Sequence, residues 1–115
     1  MAYLLLIVEP PGQRQDRGVE SGRAAYQQML RYADSLKARG VLMATQSLKS
    51  ESARLTVRGG KRNVVDGPFT EAKELVGGFF LLDVKTREEA LALAGECPAS
   101  QWATLEVRET GPCYE

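Results

Sequence analysis

The chain opens on an uninterrupted apolar run, Tyr3-Leu-Leu-Leu-Ile-Val8. A run without polar alternation predicts a strand covered on both faces, central in a sheet, and Pro10, Pro11 and Gly12 end it. The polar stretch that follows, up to Gly22, reads as a mobile loop. Beyond it Tyr26, Met29, Ala33 and Leu36 recur at three- and four-residue spacing. This predicts a first helix that stops at Gly40, with Lys37 and Arg39 in its last turn. Val41 to Thr45 returns to strand character, and Gln46 to Ser52 is polar and loop-like.

From Ala53 the period changes to two. Ala53, Leu55 and Val57 alternate with Arg54, Thr56 and Arg58, which puts the apolar set on one face of a strand and both arginines on the other. Gly59-Gly60 is a two-residue turn of the hairpin kind, so Lys61 to Val65 is expected to be the return strand. Asp66-Gly-Pro-Phe69 is a turn by composition, with Thr70 placed to cap a short helical turn holding Glu71 to Glu74. In the apolar segment Val76 to Val84, the pair Gly77-Gly78 predicts a bulge or a close backbone approach. Thr86-Arg-Glu-Glu89 fits a capping box at the start of a second helix. That helix carries Ala90, Leu91, Leu93, Ala94 and Cys97 along one side and is closed by Pro98. Trp102 to Glu109 is a final strand, with Ala103, Leu105 and Val107 set against Thr104, Glu106 and Arg108.

The order strand, helix, strand, hairpin, strand, helix, strand predicts an α+β ferredoxin-like sandwich with an inserted β-hairpin, its helices on one face of a mixed sheet. Two helices cannot cover both faces of a sheet this apolar. An exposed apolar face above roughly a few hundred Å² is unusual on a soluble monomer. A homodimer is therefore expected, with two sheets facing each other.

Length and composition narrow the reading. The 115 residues suit one domain spanning 1–115, and 43% hydrophobic with 26% charged residues is the balance of a soluble globular chain. Fifteen acidic residues offset fifteen basic ones, so no overall field draws the chain to nucleic acid or to an anionic membrane. The first apolar run is too short to span a bilayer and lacks the flanks of a signal peptide. Cys97 and Cys113 are expected to be free thiols in a cytoplasmic protein.

With no histidine in the chain, a histidine base, a Ser-His-Asp or Cys-His arrangement and a histidine zinc site are excluded. The cysteines lack CxxC spacing, and neither glycine pair belongs to a phosphate-binding motif. No cofactor and no metal is expected. What remains is a polar constellation between residues 54 and 74. Asp66, Glu71, Lys73 and Glu74 surround a constrained turn beyond two strands bearing Arg54, Arg58 and Arg62. A buried carboxylate there could take a proton, and an arginine or lysine could hold an anion. Read structurally, the same residues are a self-bonded Asp66 turn, a core anchor at Phe69 and a solvated charged face.

The segment Gly59-Gly-Lys-Arg-Asn-Val-Val-Asp-Gly-Pro-Phe-Thr-Glu-Ala-Lys-Glu-Leu-Val-Gly-Gly-Phe-Phe80 resembles the signature of the YCII-related proteins, in the branch named for its DGPF motif. The resemblance runs nearly the whole chain, through Val-Lys-Thr-Arg-Glu-Glu-Ala90 to Glu106-Val-Arg108, and its matched positions are Asp66, Gly67, Pro68, Phe69, Glu71, Lys73, Glu74 and Gly78. It implies ferredoxin-like domains that pair into a dimeric α/β barrel, with a small-molecule or catalytic pocket near the motif. The histidine-aspartate pair of more distant relatives has no counterpart here.

Two functions follow as expectations. One is a domain binding a small polar or anionic metabolite, with Asp66 as base and Arg54, Arg58, Lys73, Glu71, Glu74 and Phe69 around the ligand. The other is a non-enzymatic protein-interaction or regulatory accessory dimer whose DGPF segment only shapes a loop.

Overall fold

Strand β1 (Tyr3–Glu9) buries Tyr3, Leu5, Ile7 and Glu9 on one side and leaves Leu4, Leu6 and Val8 half-buried on the other. The structure, a computed structural model, describes residues 1–69 and 71–114. After β1 come helices α1 (Gln13–Arg17) and α2 (Val19–Ala38), then strands β2 (Leu42–Ser47), β3 (Ala53–Arg58), β4 (Lys61–Asp66) and β5 (Leu75–Leu82). Helix α3 (Arg87–Glu96), a 3-10 turn at Pro98–Gln101 and strand β6 (Thr104–Glu109) complete the chain.

The main sheet has the order β2-β5-β1-β6, the ferredoxin-like arrangement, and β3-β4 forms a separate hairpin between β2 and β5. Every pairing is antiparallel. The sheet is thus not mixed. Each helix crossover does return a strand parallel to the one it left, but another strand runs antiparallel between the two. The α2 and α3 layer packs on the side of β1 that carries Leu5. There Leu5, Leu36 and Leu82 are fully buried with Tyr32, Phe80, Val84 and Leu93. Tyr32 meets Phe80 edge-on at 5.1 Å, and its hydroxyl donates to the Leu93 carbonyl at 2.6 Å. Burial pushes its phenol up from the ordinary value of 10.0.

The helical layer departs from the expectation at its start. Gln13–Arg17 forms a short helix instead of a mobile loop, and α2 begins at Val19, running through Gly22. Gly18, at φ 83°, separates the two and supplies no side-chain cap, so no capping signal marks this start. At α3 half of the expected capping box forms: Thr86 Oγ1 accepts the Glu89 N–H at 3.2 Å, while the Glu89 carboxylate accepts from the Thr86 hydroxyl and not from a backbone amide. Leu91 is 41% exposed and does not join the core, and Cys97 lies just past the helix, buried. Both cysteines are free.

Gly59 (φ 58°) and Gly60 (φ 75°) make the tight turn of the hairpin, because the mirror-image turns that match strand twist need positive φ at both centres. Both hairpin strands are exposed along their whole length. The arm widens the molecule to a radius of gyration of 15.9 Å, against about 13 Å for a compact chain of this size. The molecule is only 19 Å thick in its shortest dimension, room for one sheet and one helical layer. Thr70, expected as a cap, lies outside the described residues. Glu71 to Glu74 forms a turn, not a helix, with the Ala72 N–H donating to the Phe69 carbonyl at 3.0 Å. No described helix is long and apolar enough to cross a membrane.

Candidate functional site

Alternation along β1 carries a carboxylate to the covered side: after Tyr3, Leu5 and Ile7 comes Glu9, 6% exposed. A buried charge is costly unless paired and hydrogen-bonded. Arg14 of α1 meets that need, with its Nε 2.8 Å from Glu9 Oε1. The same guanidinium donates from Nη1 to the Leu48 carbonyl at 2.6 Å and from Nη2 to the Gly77 carbonyl at 3.0 Å. One side chain therefore ties α1 to β1, to β5 and to the segment after β2.

The backbone is shaped to admit this pair. The register of β1 on β5 slips between Ile7 and Val8, which pair with Gly78 and Val76 and leave Gly77 as the extra residue. A Cβ on Gly77 would stand 2.7 Å from Glu9 Cδ and 2.8 Å from Arg14 Nη2, and one on Gly78 would stand 3.0 Å from the Gln46 carbonyl. The glycine pair thus provides both the bulge and the close approach that its sequence position suggested.

Beside Arg14 at the start of α1, Gln13 Nε2 donates to the Trp102 carbonyl at 2.6 Å, and about one turn on the Arg17 guanidinium lies over the Trp102 ring, 5.8 Å from its centroid. Between this corner, α2 and the sheet opens a cleft of about 590 Å³. Its apolar wall includes Ile7, Val19, Met29, Leu30 and Phe80; Thr45, Gln46, Ser47 and Ser50 face them from the end of β2 and beyond. Glu9, Arg14 and Arg17 are its charged lining.

The seven residues expected from sequence sit elsewhere, and none lines this cleft. Arg54 and Arg58 are exposed on the hairpin. Arg54 covers the buried ring of Phe69 at 3.7 Å, and Arg58 donates to the neighbouring Val57 carbonyl. Asp66 is exposed at the end of β4, and Glu71 is exposed in the following turn. Lys73 and Glu74 border a separate depression with Val8, Pro10, Thr104 and Trp102, the last of which also lines the cleft. Sequence reasoning missed Glu9, Arg14, Arg17 and Trp102. A signal for Glu9 existed, since the period-two register of β1 places it beside Leu5 and Ile7.

The model of the YCII-related domain family matches residues 1–112, a span that includes every helix and strand described above. No curated protein matches the chain.

Proposed function

The chain belongs to the YCII-related domain family, and from that premise we propose that it is a DGPF-type member that binds a small polar or anionic metabolite in the cleft between α1, α2 and the sheet. The observation that carries the reading is the gathering of Glu9, Arg14 and Arg17 beside the apolar wall of the cleft, with Glu9 buried and both arginines half-buried. Small-molecule sites are typically concavities of about 300–1,000 Å³ with mostly apolar walls and a few placed polar groups, and this cleft has that character. The pocket is thereby assigned away from the DGPF turn, whose Phe69 is buried beneath Arg54 and whose role is to hold the base of the hairpin.

Gly22 allows a direct test. It lines the cleft from within α2, and a Cβ there would meet nothing within 4 Å. Gly22→Leu should obstruct part of the cleft while keeping or raising stability, because glycine inside a helix costs about 1 kcal/mol. A thermal-shift screen of small metabolites, confirmed by calorimetry, should give hits that bind the parent and not this variant. Hits that bind both equally, or a screen without hits, overturn the reading.

The same proposal includes a homodimer in the cytoplasm. Leu4, Leu6, Val8, Phe79 and Leu81 form a half-buried apolar stripe on the sheet face away from the helices, and a second copy of that face would cover it as a dimeric barrel. Sedimentation should then show twice the chain mass, and Leu6→Glu should shift it to the monomer. A parent monomer at micromolar concentration sinks the dimer and leaves the cleft reading standing.

A further inference from the structure

We infer that the ligand of this cleft is a monoanion, a carboxylate on an apolar body, whose charge is held by Arg17 against the face of Trp102. The inference rests on the cleft reading and goes beyond it by naming the chemistry of the occupant.

Arg17 Nε and Nη1 are both buried, and neither has a hydrogen-bond partner among the described residues. Buried polar groups are almost always hydrogen-bonded, and buried charges are paired. Arg17 is half-buried as a residue, and these two donors have no acceptor among the described residues. The other charged groups of the cleft cannot supply one, because Glu9 is committed to Arg14 at 2.8 Å. That pair is neutral as a unit, and Arg17 is left as a single uncompensated positive charge. One such charge calls for one negative charge. Guanidinium suits a carboxylate, since its planar donors match the carboxylate oxygens and it is always protonated.

The rest of the lining limits what the anion is attached to. Val19, Met29, Leu30 and Phe80 offer apolar contact, which inorganic phosphate or sulfate cannot use. Trp102 keeps the cation on its ring by cation–π attraction.

The test uses two matched pairs of probes, octanoate with octanamide and phenylacetate with phenylacetamide, titrated into the full chain. Calorimetry measures affinity, and emission of Trp102 reports on the site because it is the chain's only tryptophan. Each acid should bind about 10- to 100-fold more tightly than its amide, the range for a hydrogen bond to a charged group. Arg17→Gln should reduce the acids to the amides' affinity and leave the amides unchanged, and Arg17→Lys should restore part of the gap. Circular dichroism of each variant checks the fold. If acid and amide bind the parent equally, Arg17 is merely hydrated and the inference fails while the cleft reading survives. A gap that persists in Arg17→Gln has the same consequence. If no probe changes heat or emission up to about 5 mM, a generous limit for ligands of this size, the cleft reading falls with it.

Discussion

Glu9 and Arg14 meet at 2.8 Å beside a glycine that has no room for a side chain. Gly77→Ala would place its methyl within 2.7 Å of Glu9 Cδ, so the pair must part or the bulge must shift. Separating a buried ion pair costs about 3–5 kcal/mol when one charge is stranded. Arg14 keeps 29% of its side chain exposed, so a loss of about 2–3 kcal/mol is expected. Urea midpoints measure it. Glu9→Gln should cost a similar amount, and the double variant Glu9→Gln with Arg14→Gln should recover part of it, because no charge is then left unpaired. A neutral Gly77→Ala would show that neither the ion pair nor the bulge depends on the glycine.

What the amino-acid pattern reveals and what it conceals differ by physical cause. The hairpin is legible because Gly59-Gly60 must take positive φ and because residues 53–58 alternate. The cap at Thr86 and the close approach at Gly77-Gly78 are local constraints and are read locally. By contrast α1, Gln13-Arg-Gln-Asp-Arg17, buries no residue, so periodicity has nothing to register. It is held by long-range bonds from Gln13 to Trp102 and from Arg14 to Leu48 and Gly77. The cleft was concealed for the same reason. Density of charge around residues 54–74 marks an exposed arm, whereas the cleft charges Glu9, Arg14 and Arg17 are close in sequence and the partners of the two arginines, the Leu48 and Gly77 carbonyls and the Trp102 ring, are far along the chain.

The two cysteines should differ sharply in the folded protein. Cys97 is 1% exposed, and burial pushes its thiol up, while Cys113 is exposed. Since the thiolate is the reactive form, a thiol reagent at neutral pH should modify Cys113 quickly and Cys97 only as the chain unfolds. Mass spectrometry should count one adduct on the native protein and two after denaturation without reductant. A disulfide in freshly isolated protein would contradict both the free thiols and the cytoplasmic proposal.

Tyr32 sets a limit on stability at alkaline pH. Its folded-state pKa lies above the unfolded value of 10.0 because burial disfavours the phenolate. The native state therefore keeps a proton that the unfolded chain releases. The contribution is fully present below the unfolded pKa and is lost as pH rises from there toward the folded value. Tyr32→Phe should lose about 0.5–1.5 kcal/mol at neutral pH, from the bond to the Leu93 carbonyl. It should then lose less than the parent between about pH 9.5 and 11. Groups remote from Tyr32 titrate alike in both proteins and cancel in the comparison, and a Cys97→Ser background removes the neighbouring thiol that is coupled to Tyr32. Parallel stability curves across that range would deny Tyr32 its part.

The DGPF turn separates a structural motif from a reactive one. Gly67 donates its N–H to the Ser52 carbonyl, and a Cβ at that position would strike the Phe69 ring at 2.7 Å. Phe69 is 7% exposed, apart from the main core cluster, with the Arg54 cation 3.7 Å above its ring. If the turn exists to pin the hairpin's base, the energy should reside in the ring. Phe69→Ala should cost about 2–4 kcal/mol, at or below the usual range for a buried aromatic because part of the site can collapse. Arg54→Ala should cost about 0.5–1 kcal/mol, the cation–π contribution at an exposed position. Asp66, exposed, should tolerate Asn with a change of at most about 1 kcal/mol. Binding in the cleft should be unaffected by all three where the fold persists. The decisive measurement is calorimetry of a cleft ligand against Asp66→Asn with an unchanged melting temperature. Retained affinity assigns the turn to structure. Loss of binding or turnover in that folded variant would return the chemistry to Asp66, because Asn keeps the shape and hydrogen-bonding reach of the side chain and removes only its charge and its capacity to take a proton.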